Sequence, residues 1–155
     1  MGNKQNESVG EILKKAASKE NGTYLFYKNA AGKVKDVYTK DILHKFAEEE
    51  LKHKQIIENF NPETLENIEI EIDETSRKGV SEFLTDTDEG ITKDSDIQDV
   101  LLYAAKREKK AFHFYENMSK LVMDQELKKM FTWLAQEESK HKEDIEALFW
   151  EVMYR

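Results

Sequence analysis

The chain has 155 residues, 36% of them charged and 39% hydrophobic, and a formal net charge of −8. That size and mix describe one helix-rich domain with a modest core, and the acidic balance offers no basic footprint for nucleic acid. Cysteine is absent, which excludes disulfides, thiolate metal sites, iron–sulfur ligation and cysteine nucleophiles.

The polar stretch from Met1 to Ser8 lacks the apolar core of a secretory signal, and no apolar run is long enough to span a membrane, so a soluble cytoplasmic protein is expected. The first helical segment then runs from about Val9 to Ala30. Ser8-Val9-Gly10-Glu11 opens it as a capping box, and Gly32 suits its C-terminal stop. The second runs from about Thr39, read as its N-cap, to Phe60, and Asn61-Pro62 stops it. Residues 61–95 form a long polar crossover. Within it Ile68-Glu69-Ile70-Glu71-Ile72 alternates with period two, as a short extended stretch does, and Phe83 and Leu84 suit a small helical turn. The third helix runs from about Asp96 to Lys120, opened by Ser95-Asp96-Ile97-Gln98 as a capping box. The fourth runs from about Asp124, its N-cap, to Tyr154. One proline and six glycines leave these helices few breakers. A long crossover lets the second and third helices lie parallel, which defines an all-α four-helix bundle made of two helix pairs.

The chain also repeats itself. Shifted by 88 residues, Leu13 falls on Leu101, Ala16 on Ala104, Ala17 on Ala105, Tyr27 on Tyr115, Leu43 on Phe131, Ala47 on Ala135 and Ile57 on Ile145. The unit is a helix pair used twice. Each half carries the same polar residues at the same spacing: Glu20, then Glu50 and His53; Glu108, then Glu138 and His141. Positions three and four apart share a helix face. The second helix reads Leu43, Phe46, Glu50, His53, Ile57, Phe60, and the fourth reads Phe131, Leu134, Glu138, His141, Ile145, Leu148. The first reads Leu13, Ala16, Glu20, Tyr24, Tyr27, and the third Leu101, Ala104, Glu108, Phe112, Tyr115. Each carboxylate and each imidazole therefore sits inside an apolar stripe.

Folding would bury four carboxylates together, which is costly without compensating charge. No Lys or Arg on these stripes supplies it. Two divalent cations would, with two neutral imidazoles completing the shell; one Glu from each of two helices plus Glu-x-x-His from each of the other two is a known bundle arrangement for paired metals. A lone Glu-x-x-His in a Glu-rich helix is a weak signal. Two copies at matched spacing, each preceded by a core Glu, are a strong one.

His44 and His113 lie off these faces and read as surface residues. Tyr27 and Tyr115, seven residues after Glu20 and Glu108, read either as core filling or as hydrogen-bond donors to a ligand carboxylate. In Glu48-Glu49-Glu50 and Glu137-Glu138 only the last member is expected to face inward, and Trp133, Trp150 and Phe149 read as packing or subunit contact.

The segments Tyr103 to Tyr115 and Phe131 to His141 resemble the ligand helices of the rubrerythrin branch of ferritin-like diiron-carboxylate proteins. The first half resembles them less closely, through Glu20, Tyr27 and Phe46 to His53. The resemblance implies a ferritin-like bundle holding two iron ions, with manganese or zinc as substitutes. Glu50 and Glu138 would bridge the metals, Glu20 and Glu108 would be terminal ligands, and His53 and His141 would each cap one metal. It also implies reduction of peroxide or dioxygen. Rubrerythrins with a cysteine-built rubredoxin-like site carry their own electron relay; this chain has no cysteine, so an external electron donor is implied. Peroxidase-active members carry an extra Glu three residues after the third-helix ligand, where this chain has Ala111, with Thr23 as its repeat-mate. Thr23 and Ala111 would then leave space for the oxidant. Gly22 would mark a bend or an oxidant path. The two-pair topology points to a homodimer. Iron sequestration without turnover, and a structural bundle with a vestigial site, are the competing readings.

Overall fold

Four long helices begin where a side chain captures their first free N–H groups. In the computed structural model, which describes residues 5–60, 65, 68–85 and 94–154, they are α1 (Val9–Lys33), α2 (Val37–Glu58), α4 (Ile97–Leu121) and α5 (Gln125–Met153). Ser8 accepts from the Glu11 amide at 3.4 Å and Asp124 from that of Leu127 at 2.9 Å, as their sequence positions predict. The other two caps differ from expectation. Asp36, not Thr39, caps α2, accepting from the Thr39 amide at 2.9 Å and from its hydroxyl at 2.6 Å. Asp96, not Ser95, caps α4, accepting from the Asp99 amide at 2.8 Å. The repeat explains both corrections: Asp36 lies 88 residues before Asp124, and Asp96 lies 88 after Ser8.

Gly32 does not stop α1. The helix runs through it to Lys33 and ends at Val34 in extended conformation. The proposed stop at Asn61-Pro62 lies outside the described residues.

Inside the crossover, β2 (Glu69–Ile72) is the alternating stretch, with Ile70 and Ile72 buried and Glu69 and Glu71 exposed. It pairs antiparallel with β1 (Gln5–Ser8), in the register Gln5 to Ile72 and Ser8 to Glu69. This N-terminal strand carries no sequence signal, because its polar residues find order only through the partner strand. The small turn expected at Phe83 and Leu84 is a full helix, α3 (Glu74–Thr85), opened by Asp73, which accepts from the Ser76 amide at 2.8 Å. Phe83 packs on Phe114 with ring centroids 4.6 Å apart, which lays α3 against α4.

The core is two apolar clusters separated by a polar layer. One gathers Leu13, Ile57, Phe114, Met118, Leu127 and Phe131. The other gathers Tyr27, Leu43, Phe46, Leu101, Ile145 and Leu148. The C-terminal ends of α2 and α4 therefore share one end of the bundle, so these helices run parallel, as the long crossover implies. Between the clusters lie Glu20, Glu50, His53, Glu108, Glu138 and His141, all buried. Among the described residues, no helix is long and apolar enough to cross a membrane.

Gly32 is exposed, and a Cβ there would meet nothing within 4 Å. Gly32→Ala should therefore stabilise the fold by roughly 0.5–1 kcal/mol and raise the Tm by about 1–4 °C, read by thermal unfolding.

Candidate metal centre

Helix period brings each candidate ligand inward, and the antiparallel packing within each pair brings the halves to one level. Two overlapping groups result. Glu20, Glu50, His53 and Glu138 offer one atom each, all within 4.8 Å of one another; so do Glu50, Glu108, Glu138 and His141. Glu50 and Glu138 belong to both groups. All six residues singled out by spacing are thus gathered into one place.

The imidazoles turn the same ring atom inward. His53 Nδ1 lies 2.6 Å from Glu138 Oε1 and 3.6 Å from Glu50 Oε2. His141 Nδ1 lies 2.9 Å from Glu50 Oε1 and 3.9 Å from Glu108 Oε2. The two rings stack with centroids 5.3 Å apart. Proximity does not amount to satisfaction. Glu50 Oε2, His53 Nδ1, Glu108 Oε2 and Glu138 Oε1 are buried and have no hydrogen-bond partner. The close pair of His53 Nδ1 and Glu138 Oε1 lacks hydrogen-bond geometry. Orphaned acceptors cost about 1–3 kcal/mol each, and more when charged. Lone pairs left over from four residues and pointed into one space are what a bound cation would consume. The donor set of oxygens and imidazole nitrogens fits iron and manganese and accepts zinc.

The two tyrosines resolve as hydrogen-bond donors, and they cross over. Tyr27 donates to Glu108 at 2.6 Å, and Tyr115 donates to Glu20 at 2.5 Å. Each tyrosine shares a helix with one terminal carboxylate and holds the other. Sequence spacing suggests the helix face; only the packing of α1 against α4 gives the exchange.

Carboxylates packed this closely compete for protons. Burial, then the charge of Glu50, pushes Glu20 well above the usual carboxylate range, against the hydrogen bond from Tyr115. Burial, then the charges of Glu108, Glu50 and Glu20, does the same to Glu138. Glu108 rises to about 7 through burial and the charge of Glu50. Glu50 behaves oppositely: burial favours its neutral form, but hydrogen bonds from Glu20 and His141, with the His53 imidazole close by, hold it well below the usual range. Burial opposes a charged His141, yet hydrogen bonds to Glu49 and Glu50 and the charge of Glu108 lift it to about 11. Tyr27 and Tyr115 rise through burial and the charges of Glu108 and Glu20 respectively, so both phenols keep the proton they donate.

Three residues outside the predicted set matter. Glu49, expected to be solvated, reaches in to contact His141 Nε2, and that contact lowers its own pKa. It sits one position off the stripe, about 100° around the helix, where a long side chain still reaches the α5 seam. Trp133, expected as packing, stands edge-on to His53 with centroids 5.7 Å apart. Arg107 is buried but turns away from the carboxylates; its guanidinium donates to Thr23 Oγ1 at 2.8 and 3.3 Å and to the Tyr103 hydroxyl at 3.4 Å. A Cβ at Gly22 would meet Arg107 Nη2 at 3.6 Å, an ordinary contact, and α1 continues unbroken through that glycine without the expected bend.

The space expected at Thr23 and Ala111 is largely filled. Both residues are buried, and the cavity bounded by Lys19, Thr23, Phe83, Arg107 and Lys110 is about 10 Å³, room for about one water. His44 and His113 are exposed, as predicted.

Long antiparallel helices around a shared carboxylate–histidine cluster define a ferritin-like bundle with a candidate two-metal site. The family model for rubrerythrin matches residues 11–149, and the chain belongs to that family. Comparison with curated proteins and with solved structures gives no match.

Two measurements test the centre. Tyr27→Phe and Tyr115→Phe each leave a terminal carboxylate without its donor and should weaken metal binding about 10–100-fold, read by competition with a chromogenic chelator. The second is the pH dependence of the metal-free fold. Glu108 holds its proton to about 7, whereas the unfolded chain releases it near 4.5. Glu20 and Glu138 act in the same direction, and His141, with a folded value of about 11 against 6.5, adds a loss of the same sign at higher pH. Glu49 and Glu50, held low, favour the fold as pH rises only in the acid range below 4.5. The folded form thus holds more protons, and the Tm of the metal-free protein should fall from about pH 5 to about pH 8. Added Fe(II), Mn(II) or Zn(II) should raise the Tm more at the upper end, because metal displaces those protons.

Proposed function

We propose that this protein is a diiron redox protein that reduces hydrogen peroxide or dioxygen with electrons from an external donor. The reading is carried by the sharing of Glu50 and Glu138 between two buried groups of carboxylate and imidazole donors. In it Glu20, Glu50, His53 and Glu138 would hold one ion and Glu50, Glu108, Glu138 and His141 a second. Iron held there would supply two electrons, one from each ion, which with two protons convert hydrogen peroxide to two waters.

The chain's own side chains do the rest. Tyr27 and Tyr115 fix the terminal carboxylates by donating to them. Glu49 fixes the His141 ring through Nε2, leaving Nδ1 for the centre. The apolar clusters above and below keep bulk water out and strengthen every charge interaction between them. With no cysteine in the chain, the reductant is external.

A second reading, iron binding without turnover, is favoured by one observation: Ala111 stands where peroxidase-active members carry an extra Glu, and Thr23 opposite is tied to Arg107. Stopped-flow mixing of the Fe(II)-loaded protein with hydrogen peroxide separates the two. The redox reading expects oxidation faster than that of free Fe(II), and repeated cycles when a reductant is supplied. Reversible iron uptake with no peroxide consumed under any reductant selects the second reading. Glu50→Ala removes a carboxylate common to both groups and should lower occupancy from two ions to one or none, read by metal analysis.

A further inference from the structure

A sealed centre poses a transport problem, because an electron from outside must cross the wall of side chains around it. Among the described residues, four rings touch its candidate ligands. Tyr27 holds Glu108, Tyr115 holds Glu20, Phe46 lies against His141, and Trp133 lies against His53. Three of these are closed off from solvent: Tyr27 and Tyr115 are 0% exposed and Phe46 is 2%. Trp133 is 42% exposed.

The indole meets the His53 ring edge-on, with an interplanar angle of 83°. His53 in turn presents Nδ1 to Glu50 and Glu138. Two touching π systems, indole then imidazole, therefore join the surface to the interior. Tunnelling through touching conjugated groups decays less steeply than through gaps or saturated chains. The contact of Glu49 with His141 also reaches outward, but through saturated carbon and a carboxylate.

The bundle itself does not require a tryptophan there. The repeat-mate of Trp133 is Lys45, an exposed residue, so the position faces outward in both helix pairs. A large ring at an outward position serves the site beneath it better than it serves the core. The approach is close to neutral: Trp133 shares a shallow groove with Ile56, Phe60 and Met130, where Glu126 and Lys129 pair with each other at 3.5 Å.

We propose that Trp133 is the electron relay of this protein, a role that rests on the redox reading above. A one-electron reductant gives up its electron at the exposed indole edge, and the electron passes through the His53 imidazole to the bound metal. Two such transfers return two ferric ions to the ferrous state, oxidise two equivalents of reductant and leave the indole unchanged.

The test uses the full chain, iron-loaded, as wild type, Trp133→Phe and Trp133→Leu. The ferric form is prepared by chemical oxidation with ferricyanide, so the experiment does not depend on peroxide reactivity. Its reduction by reduced methyl viologen is followed in a stopped-flow instrument, alongside peroxide oxidation of the ferrous form, iron content and midpoint potential. Trp133→Leu should slow reduction about tenfold or more, Trp133→Phe less, with oxidation rate, iron content and potential unchanged. An unchanged reduction rate in Trp133→Leu overturns the relay, as does an equal loss in reduction and oxidation, which marks a merely structural residue. Wild-type protein that is reduced through Trp133 but never oxidised by peroxide sinks the redox reading instead. A second readout needs no turnover. In Trp150→Phe, Trp133 is the sole tryptophan, and its emission should respond to Zn(II) loading through the ion on His53. Emission indifferent to Zn(II) breaks the contact on which the relay depends.

Discussion

Four carboxylates buried in one layer set the terms for this molecule. Their mutual repulsion and lost hydration oppose folding, and the described side chains around them do not cancel it: acceptor atoms on Glu50, Glu108 and Glu138 stay unpaired. The buried guanidinium of Arg107 is turned towards Thr23 and Tyr103, not into the cluster. The balance is therefore held by protons or by cations. Protons neutralise one carboxylate at a time and satisfy few lone pairs. Two divalent cations neutralise four at once and take up the orphaned acceptors. The apolar clusters at either end make the choice sharp, since they exclude the water that would otherwise soften it.

The same layer ties the two helix pairs together. Each pair packs closely within itself, while α1 meets α4 and α2 meets α5 across a wider seam. Side chains bridge that seam where backbones do not. Tyr27 of the first pair holds Glu108 of the second, and Tyr115 of the second holds Glu20 of the first. His141 reaches Glu50, and His53 reaches Glu138. Every one of these contacts joins one half to the other. Assembly of the polar layer and closure of the bundle are thus one event, and metal that binds the layer stabilises the whole fold.

Much of this was legible because two periodicities coincide. The helical period placed Glu20, Glu50, His53, Glu108, Glu138 and His141 on apolar faces, and the 88-residue repeat showed that the placement was no accident of a Glu-rich chain. The ferritin-like architecture and parallel α2 and α4 followed from the long crossover. What stayed hidden depends on contacts between elements. β1 is polar and exists by pairing with β2. A local reading favours Thr39, the residue nearest the apolar run, although the repeat points to Asp36 through Asp124. Glu49 was hidden by its position off the stripe, and the exchanged tyrosine bonds by a geometry that no single helix contains.

The repeat also shows where the two halves have parted. Equivalent positions carry Lys45 and Trp133, and Thr23 and Ala111. The consequence is a cluster with equivalent candidate ligands and unlike surroundings. His141 lies between Phe46 and the carboxylate of Glu49, a setting that raises the basicity of its ring and fixes its orientation. His53 lies under an indole open to solvent. On the remaining side, Arg107 and Thr23 join α4 to α1 with little free space between them. The two imidazoles of the candidate site therefore have distinguishable neighbours: His141 has a charged, buried one, and His53 has one that opens to the surface. Holding charge requires only the ligands that the two halves share. The differences between the halves lie in the side chains around those ligands, and they give the bundle unlike faces at the level of the cluster.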